Sequence, residues 1–467
     1  MEGVKLDKWG YEVKTSSDSC IIAINDYYHQ VLNYGRKGGV ILEAAVDDPN
    51  CVLANILASH FLCSSNPSLA PRHIQSAKSH LEQATSYEKA VFDAVNSLIT
   101  EDGDDYEAFE LHSRVLKDFP RDLVSLKRAQ VLCFYMGRPD LSLGLVKQIL
   151  PVNQKEDYVY GMLAFPLLEL GRMSDAEEAA KKGYETNKQD CWAQHAICHV
   201  LQYECRFKEA VQFMEKCSTS WKSCSSFMYT HNWWHVALCY LEGHCSMKKV
   251  LEVYDHCILK ELEKTDAMHA EVYLNALGLL LRVYVRGENH IFGDRLKILA
   301  DLVADQAYWY LEWHLDLLIT WALAFTGELT KAEDLLKGLK FRISKMSKKK
   351  QHLMQRGIQL AEAMYEYGRG NDEQALALLG PEFDASQCKM IGASDEQLDV
   401  FNEVWYSLLV KLGRVNKAIE VIEARIKIRE GVPFMWRLLE RCYSMSGRLE
   451  AGIVGEKASS LEAAYFD

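Results

Sequence analysis

Apolar residues recur every three to four positions along most of the chain, the spacing that one face of an α-helix requires. The segments between turns consist mainly of alanine, leucine, glutamate, lysine and glutamine, which favour helices. Alternation of apolar and polar residues, typical of strands, is rare, and only 9 of the 467 residues are proline. The pattern therefore predicts an all-α chain.

A short phrase, a glycine followed five positions later by a small residue, recurs along these helical segments. In "ELGRMSDAEEA" at 169–179 the glycine ends one helix with a left-handed backbone, and the small residue lets the next helix pack closely. Cys205 occupies one of the glycine positions. The copies pair Gly103 with Ala108, Gly137 with Ser142, Gly171 with Ala176, Cys205 with Ala210, Gly327 with Ala332, Gly370 with Ala375, Gly413 with Ala418, and Gly447 with Gly452.

The spacing of the copies indicates one repeating unit. The first four are 34 residues apart, as are the last two, and the intervals 327–370 and 370–413 are 43 residues each. This period resembles that of the tetratricopeptide repeat, a helix–turn–helix unit. We therefore predict an α-solenoid of tetratricopeptide-like repeats. It comprises an N-terminal helical cap at 1–88, repeats at 89–285 with a histidine-rich concave face, and C-terminal repeats at 286–467.

The net charge and the cysteines indicate which partners and which cellular compartment to expect. The net charge of −12 argues against a nucleic-acid partner, and the one basic run, at 342–356, is interpreted as a solvated linker between helices. The 14 cysteines include no C-x-x-C pair and are interpreted as reduced core thiols. The N-terminus resembles no signal peptide, and no apolar run of about 18 residues occurs. We expect a cytoplasmic protein without a membrane partner.

Several segments in order resemble the tetratricopeptide repeat protein 38 family: "TSSDSCIIAINDYYHQVLNYG", "AVDDPNCVLANILASHFL", "HAICHVLQYECRFKEAVQFME", "HNWWHVALCYLEGH" and "SDEQLDVFNEVW". The resemblance implies the solenoid fold, and among bacterial relatives a tailoring reaction such as hydroxylation. The family tends to place a histidine directly before the isoleucine of "VYDHCI". Here that position holds Cys257, and the histidine is His256.

Two pairs of histidines carry the candidate chemistry. His195 and His199, then His231 and His235, are each four residues apart, so each pair shares one helix face. The repeat register places both pairs on neighbouring first helices, facing the concave groove. Imidazole suits zinc, copper, iron and nickel, and neighbouring helices lie roughly 8–10 Å apart, so four rings can meet at one ion. Glu204, Glu242, Asp266 and Glu271 are the candidate carboxylates.

Three interpretations of the histidines stay open. They form a buried structural network, a groove for a peptide or organic ligand, or a metal site, with zinc or iron as the candidate ion. The groove set is Trp192, His195, His199, His231, Trp233 and His235. Because these positions carry no lysine or arginine, we do not expect a clamp for acidic chaperone tails.

The fold favours a binding scaffold that holds a peptide or small molecule. The alternative is a metal-dependent enzyme, oxidative or hydrolytic, with its centre at the four histidines. An enzyme requires an enclosed site with a carboxylate near the histidines, whereas a scaffold requires an open groove. A second candidate group, Asp266, His269 and Glu271, offers acid–base residues, although we expect Asp266 to cap a helix.

Overall fold

The structure is a computed structural model that describes residues 3–100, 103–287 and 294–466. Almost all regular structure in these ranges is helical. The strands found there are β1, Lys5–Leu6, and β2, Glu12–Val13, which pair antiparallel. The predicted all-α class is confirmed, and the chain is a tetratricopeptide-like α-solenoid. None of the described helices has both the length and the apolar character needed to cross a bilayer.

The chain forms two compact units. Unit 1 comprises the described residues up to Ala196 together with Ser223–Ser225, and unit 2 comprises Ile197–Lys222 and the described residues from Ser226 onward. The boundary falls inside one helix, α11, Cys191–Tyr203. The three segments drawn from the repeat pattern do not coincide with these units and stay a prediction.

Unit 1 contains ten complete α-helices among its described residues. They are α1 Asp18–Leu32, α2 Val40–Asp47, α3 Val52–Ser65, α4 Ala70–His80, α5 Ser86–Ile99, α6 Asp105–Asp118, α7 Leu123–Tyr135, α8 Pro139–Asn153, α9 Val159–Glu169 and α10 Met173–Thr186. Successive α-helices pack against each other except α4 and α5, where α5 packs against α3 instead.

Unit 2 continues the same pattern of successive packed helices. A π-helix, Tyr254–Ile258, and a 3₁₀-helix, Leu259–Glu263, follow its third helix. Its α-helices are α12 Phe207–Cys217, α13 Ser226–Glu242, α14 Met247–Val253, α15 His269–Val285, α16 Arg295–Val303, α17 Trp313–Phe325, α18 Leu329–Lys345, α19 Lys348–Gly368, α20 Asp372–Leu379, α21 Asp395–Lys411, α22 Val415–Ile428, α23 Pro433–Met445 and α24 Ala451–Glu462.

The predicted turn residues adopt the left-handed backbone at seven of eight positions. Cys205, with φ +60°, does so without being a glycine, which confirms its place in the repeat. The exception is Gly103, whose absent side chain instead permits a close approach to the Ser97 carbonyl. The left-handed turns that the sequence pattern missed include those at His244 and Gly287. The small residues five positions later are buried except Gly452, which is exposed.

A matched pair of glycines in unit 1 tests this account of the turns. Gly171, at φ +72°, and Gly144, inside α8, both have empty space where a Cβ would stand. Gly171→Ala is expected to destabilise unit 1 by about 1–2 kcal/mol, because an L-residue is strained in the left-handed region. Gly144→Ala is expected to stabilise it by roughly 0.5–1 kcal/mol, because alanine favours a helix interior. Chemical denaturation measures both, and equal effects would contradict the account.

Unit 2 is closed by contacts between residues far apart in sequence. α21 packs against α15. The C-terminal residues also return, with Tyr465 stacking edge-on against Phe207 and Phe466 lying against Tyr240. The C-terminal segment therefore packs inside unit 2. As a result, residues of the last quarter of the chain lie beside α11, α13 and α15.

The basic run at 342–356 is not a linker, which corrects the prediction. Residues up to Lys345 belong to α18 and those from Lys348 belong to α19, so only two residues separate the helices. The run is solvated as expected, since most of its side chains are exposed. Within the run, Ile343 and Met354 are buried, whereas Leu353 is exposed.

Candidate metal centre

Two helices bring the four predicted histidines together. α11 carries His195 and His199, and α13 carries His231 and His235. Residues four apart lie one turn apart on the same helix face, so each helix presents a pair. All four side chains are buried, with between 0 and 3% of their surface exposed. The helices therefore hold the imidazoles inside the protein and away from its surface.

The four imidazoles converge on a single point. One ring nitrogen from each lies within 4.8 Å of the others. The rings of His199 and His235, on different helices, have centroids 4.4 Å apart, and His231 and His235 are 4.9 Å apart. His195 lies on the same continuous helix as His199. The sequence prediction that two H-x3-H pairs meet is confirmed as geometry, while metal binding stays a prediction.

Three of the histidines contact an oxygen atom through Nδ1. His231 Nδ1 is 2.9 Å from Asn275 Oδ1, and His235 Nδ1 is 2.9 Å from Gln202 Oε1. His199 Nδ1 is 2.8 Å from Glu396 Oε2. Histidines that bind metals usually place their second nitrogen against such an oxygen, which orients the ring and makes it more basic.

The hydrogen bonds of the Asn275 and Gln202 side chains determine which ring nitrogen of His231 and of His235 carries the hydrogen. Asn275 donates from Nδ2 to Thr230 Oγ1, and Gln202 donates from Nε2 to Glu242, so each amide turns its oxygen toward a histidine. Nδ1 of His231 and His235 must then carry the hydrogen, which leaves the lone pair on Nε2. Burial lowers the pKa of His231 to about 4, so that ring is neutral near neutral pH.

Glu396 supplies a carboxylate that sequence reasoning missed. Burial alone raises the pKa of such a group, but the neighbouring His199 imidazole holds the pKa of Glu396 below its ordinary value. Glu396 is therefore ionised and adds one negative charge beside three histidines of unit 2. It lies in the first turn of α21, almost 200 residues after His199, and no local pattern links the two positions.

Beneath His235 lies a buried network of four arginines and three carboxylates. Gln202, which orients His235, donates a hydrogen bond to Glu242. Glu242 also accepts hydrogen bonds from Nη1 and Nη2 of Arg429, at 3.0 and 2.9 Å. The three carboxylates also lie within 4.8 Å of one another, but arginines engage each of them, so they form an ion-pair network. The network comprises Glu242, Asp399, Glu403, Arg282, Arg286, Arg425 and Arg429.

Aromatic rings cover the histidines, with one correction to the predicted set. Trp192 stacks on His195 as predicted, with centroids 4.9 Å apart. Trp234 stacks on His231 and meets His235 edge-on, whereas the predicted Trp233 packs against Trp221 instead. Consecutive helical residues point about 100° apart, so a one-residue error in register selects the wrong tryptophan.

The remaining predicted residues lie elsewhere in unit 2. Asp266 does not cap α15, because Met268 occupies the cap position. His269 contacts Tyr308, and Glu271 accepts a hydrogen bond from the backbone of Phe227. Glu204 pairs with a surface arginine. Of the four carboxylates predicted from sequence, only Glu242 has a described link to the histidines, and that link passes through Gln202.

The predicted open groove is absent at the four histidine positions. Their exposed fractions of 3% or less leave no surface that a bound peptide contacts. A small cavity of about 10 Å³, enough for one water molecule, adjoins His231 through Asn275 and Trp234. His314 also lines this cavity. An enclosed site with an ionised carboxylate is the arrangement that distinguishes an enzyme from an open scaffold.

Comparisons with known proteins give only distant structural similarities. No family model matches the chain. Human IFIT1 with m7Gppp-AAAA is 13% identical, covers 96% of this chain and 91% of its own, and has a TM-score of 0.39. Naa15/Naa10 bound to HypK-THB is 14% identical, covers 96% and 64%, and has a TM-score of 0.25. The ligands named for these proteins carry no conclusion for this chain. The expected lack of a nucleic-acid partner and the expected cytoplasmic location stay predictions.

Proposed function

We propose that this protein is a metal-dependent enzyme on a tetratricopeptide-like scaffold. Its metal centre comprises His195, His199, His231 and His235, and its substrate is a small molecule. The observation that carries the proposal is the convergence of four buried imidazole nitrogens within 4.8 Å. The other interpretation, a scaffold that binds a ligand with these residues, needs them on an open surface, and they are buried.

The spacing of the nitrogens supports a site that contracts slightly around an ion. Zinc–nitrogen bonds of about 2.0–2.1 Å place the nitrogens of a tetrahedral site roughly 3.4 Å apart. The observed upper limit of 4.8 Å therefore requires shifts of about 1 Å, within the range of small side-chain rotations. Imidazole donors without thiolates favour zinc, iron, copper or nickel over magnesium or calcium. Zinc and iron are the ions we propose first.

The surroundings supply what a buried cation needs. Neutral imidazoles contribute no charge, so an ion would carry its full charge into the interior. Glu396, ionised beside His199, offsets part of that charge. Asn275 and Gln202 hold the rings of His231 and His235 with the lone pair on Nε2. These contacts hold the rings in a fixed orientation, which is typical of a preorganised site.

The substrate class follows from the nearby cleft. A cleft of about 510 Å³ in unit 2 is lined in part by Tyr203, Cys205, Arg429, Lys457 and Tyr465. This volume lies within the range of small-molecule pockets. Arg429, in the wall of the cleft, donates hydrogen bonds to the Gln202 carbonyl and to Glu242. The Gln202 side chain orients His235, so hydrogen bonds link the cleft to the histidine centre. A bound metal would polarise a substrate oxygen or activate water.

Cobalt substitution tests both the ion and its accessibility. Co²⁺ added to chelator-treated protein is expected to give the intense visible absorption of a four- or five-coordinate nitrogen site. Azide is then expected to shift this spectrum by adding a fifth ligand, because a catalytic centre must admit an outside ligand beside the four imidazoles. A weak spectrum like that of aqueous Co²⁺ would contradict the metal centre. An intense spectrum that azide leaves unchanged would contradict the catalytic role and indicate a structural ion.

Two variants test which residues bind the cobalt. His231→Ala is expected to abolish it, because His231 contributes a ring to the cluster. His352→Ala is the matched control, since His352 is exposed on α19 and outside the cluster, and it is expected to leave the spectrum unchanged. Equal spectra in the two variants would place the cobalt elsewhere.

A further inference from the structure

Two buried thiols of unit 1 lie side by side although 33 residues separate them in sequence. Cys191 begins α11, and Cys224 belongs to the short segment that precedes α13. Both sulfur atoms contact the carbonyl oxygen of Asn33, at 3.3 Å from Cys191 and 3.8 Å from Cys224. The interaction of the two thiols lowers the pKa of Cys224 and, together with burial, raises the pKa of Cys191. Both cysteines are free thiols in this structure.

Backbone hydrogen bonds fix Cys224 in this position. Cys224 forms an antiparallel bridge with Gly35. On either side, the Arg36 amide donates to the Ser223 carbonyl, and the Ser225 amide donates to the Tyr34 carbonyl. Arg36 Nε adds a hydrogen bond of 2.9 Å to the Cys224 carbonyl. The two sulfur atoms are therefore held together by ordered backbone on both sides.

Charge distinguishes this pair from a second close pair of thiols. The neighbouring Cys191 thiol lowers the pKa of Cys224, burial and the carboxylate of Asp190 oppose the shift, and the cations of Arg36 and Lys127 lower the pKa further. At a second pair, Cys20 and Cys51, the charged groups that act on the Cys20 thiol are two aspartates, which disfavour a thiolate, whereas two cations outnumber the single aspartate at Cys224. Because the thiolate is the nucleophile, Cys224 is the more reactive thiol.

We propose that Cys191 and Cys224 form a redox-sensitive thiol pair that closes to a reversible disulfide in the presence of hydrogen peroxide. The Cys224 thiolate attacks one peroxide oxygen, the O–O bond breaks, hydroxide leaves, and Cys224 becomes a sulfenic acid. The Cys191 sulfur then attacks the Cys224 sulfur, the S–O bond breaks, and the oxygen leaves as water with the thiol proton. Two thiols and one peroxide give one disulfide and two waters, and an external dithiol reverses the reaction.

The disulfide has a defined consequence in the chain. It joins the first residue of α11, which carries His195 and His199, to the segment that leads into α13, which carries His231 and His235. The cross-link therefore ties together the starts of the two histidine-bearing helices. Its formation requires no metal, so the inference is independent of the proposed function.

Differential alkylation tests the pair on the full-length protein. The protein is treated with hydrogen peroxide, alkylated in denaturant, digested and examined by mass spectrometry. We expect a linked peptide containing Cys191 and Cys224, which dithiothreitol removes. Cys191→Ser is expected to abolish it and leave Cys224 as a trappable sulfenic acid. Unmodified thiols at both positions, or preferential oxidation of Cys20 and Cys51, would overturn the proposal.

A charge variant supplies a second readout if the cysteine variants fold poorly. Arg36→Gln keeps a donor for the Cys224 carbonyl but removes the cation. We expect disulfide formation near neutral pH to slow by up to about tenfold, since a rise of one pKa unit lowers the thiolate fraction tenfold. Arg121→Gln, at an exposed position of unit 1, is the control and is expected to keep the parent rate. An unchanged rate in Arg36→Gln would contradict the role of the cation.

Discussion

Glu242→Ala is expected to destabilise unit 2 by about 3–5 kcal/mol, the usual cost of removing one partner from a buried ion pair. Glu242 is 2% exposed and receives two hydrogen bonds from Arg429, which is itself buried. Arginines hold the pKa of Glu242 below its ordinary value despite burial, so the carboxylate is charged in the folded protein. The substitution leaves the Arg429 guanidinium buried without that carboxylate.

Denaturant unfolding followed by intrinsic fluorescence measures this loss. Glu209→Ala provides the control, because Glu209 is 57% exposed and pairs with Arg206 on the surface, where the expected change is within about 1 kcal/mol. The double variant Glu242→Leu/Arg429→Met removes both charges and is expected to recover part of the stability. A Glu242→Ala protein as stable as Glu209→Ala would show that the network contributes little.

Zinc is expected to stabilise the folded protein, the second large effect. An ion that binds only the folded state adds about 2.7 kcal/mol of stability at a free concentration roughly 100 times its Kd. For a unit of this size such a gain raises the melting temperature by roughly 5–10 °C. The gain comes from the histidine centre, because the unfolded chain does not bring α11 and α13 together. Differential scanning calorimetry with buffered zinc measures the shift.

The variant His199→Ala/His235→Ala is expected to lose this stabilisation. It removes one ligand from each helix, and two imidazoles bind too weakly to reproduce the effect. His269→Ala is the comparison, since His269 contacts Tyr308 outside the cluster and is expected to keep the full shift. An equal shift in all three proteins would assign the zinc effect to other residues.

The helix–turn–helix repeat was predictable because the residues that define each copy lie close together in the sequence. A left-handed turn followed by a small residue identified the helix pairs at Gly137, Gly171 and Cys205, and the structure confirms those turns. The turns at His244 and Gly287 escaped because α13 and α15 are each 17 residues long, which breaks the 34-residue spacing, and because histidine is not a typical turn residue. A pattern of fixed spacing therefore misses the copies whose length differs from 34 residues.

The candidate site was predictable only as far as helical spacing reaches. Four-residue spacing placed each histidine pair on one face, and adjacent repeats brought the pairs together. Glu396 and Asn275 come from α21 and α15, whose position beside the histidines depends on long-range packing within unit 2. The exchange of Trp233 for Trp234 has a different cause, since a one-residue error in helical register turns a side chain by about 100°. No short motif carries either kind of information.

The metal content of the protein purified without a histidine tag or added chelator tests the central claim most directly. Elemental mass spectrometry of the parent is compared with His199→Ala/His235→Ala, with circular dichroism confirming that both are helical. The account predicts close to one zinc or iron ion per chain in the parent and none in the folded variant. A parent without metal that also fails to take up added zinc or iron would contradict the metal centre and leave the four histidines as a structural network.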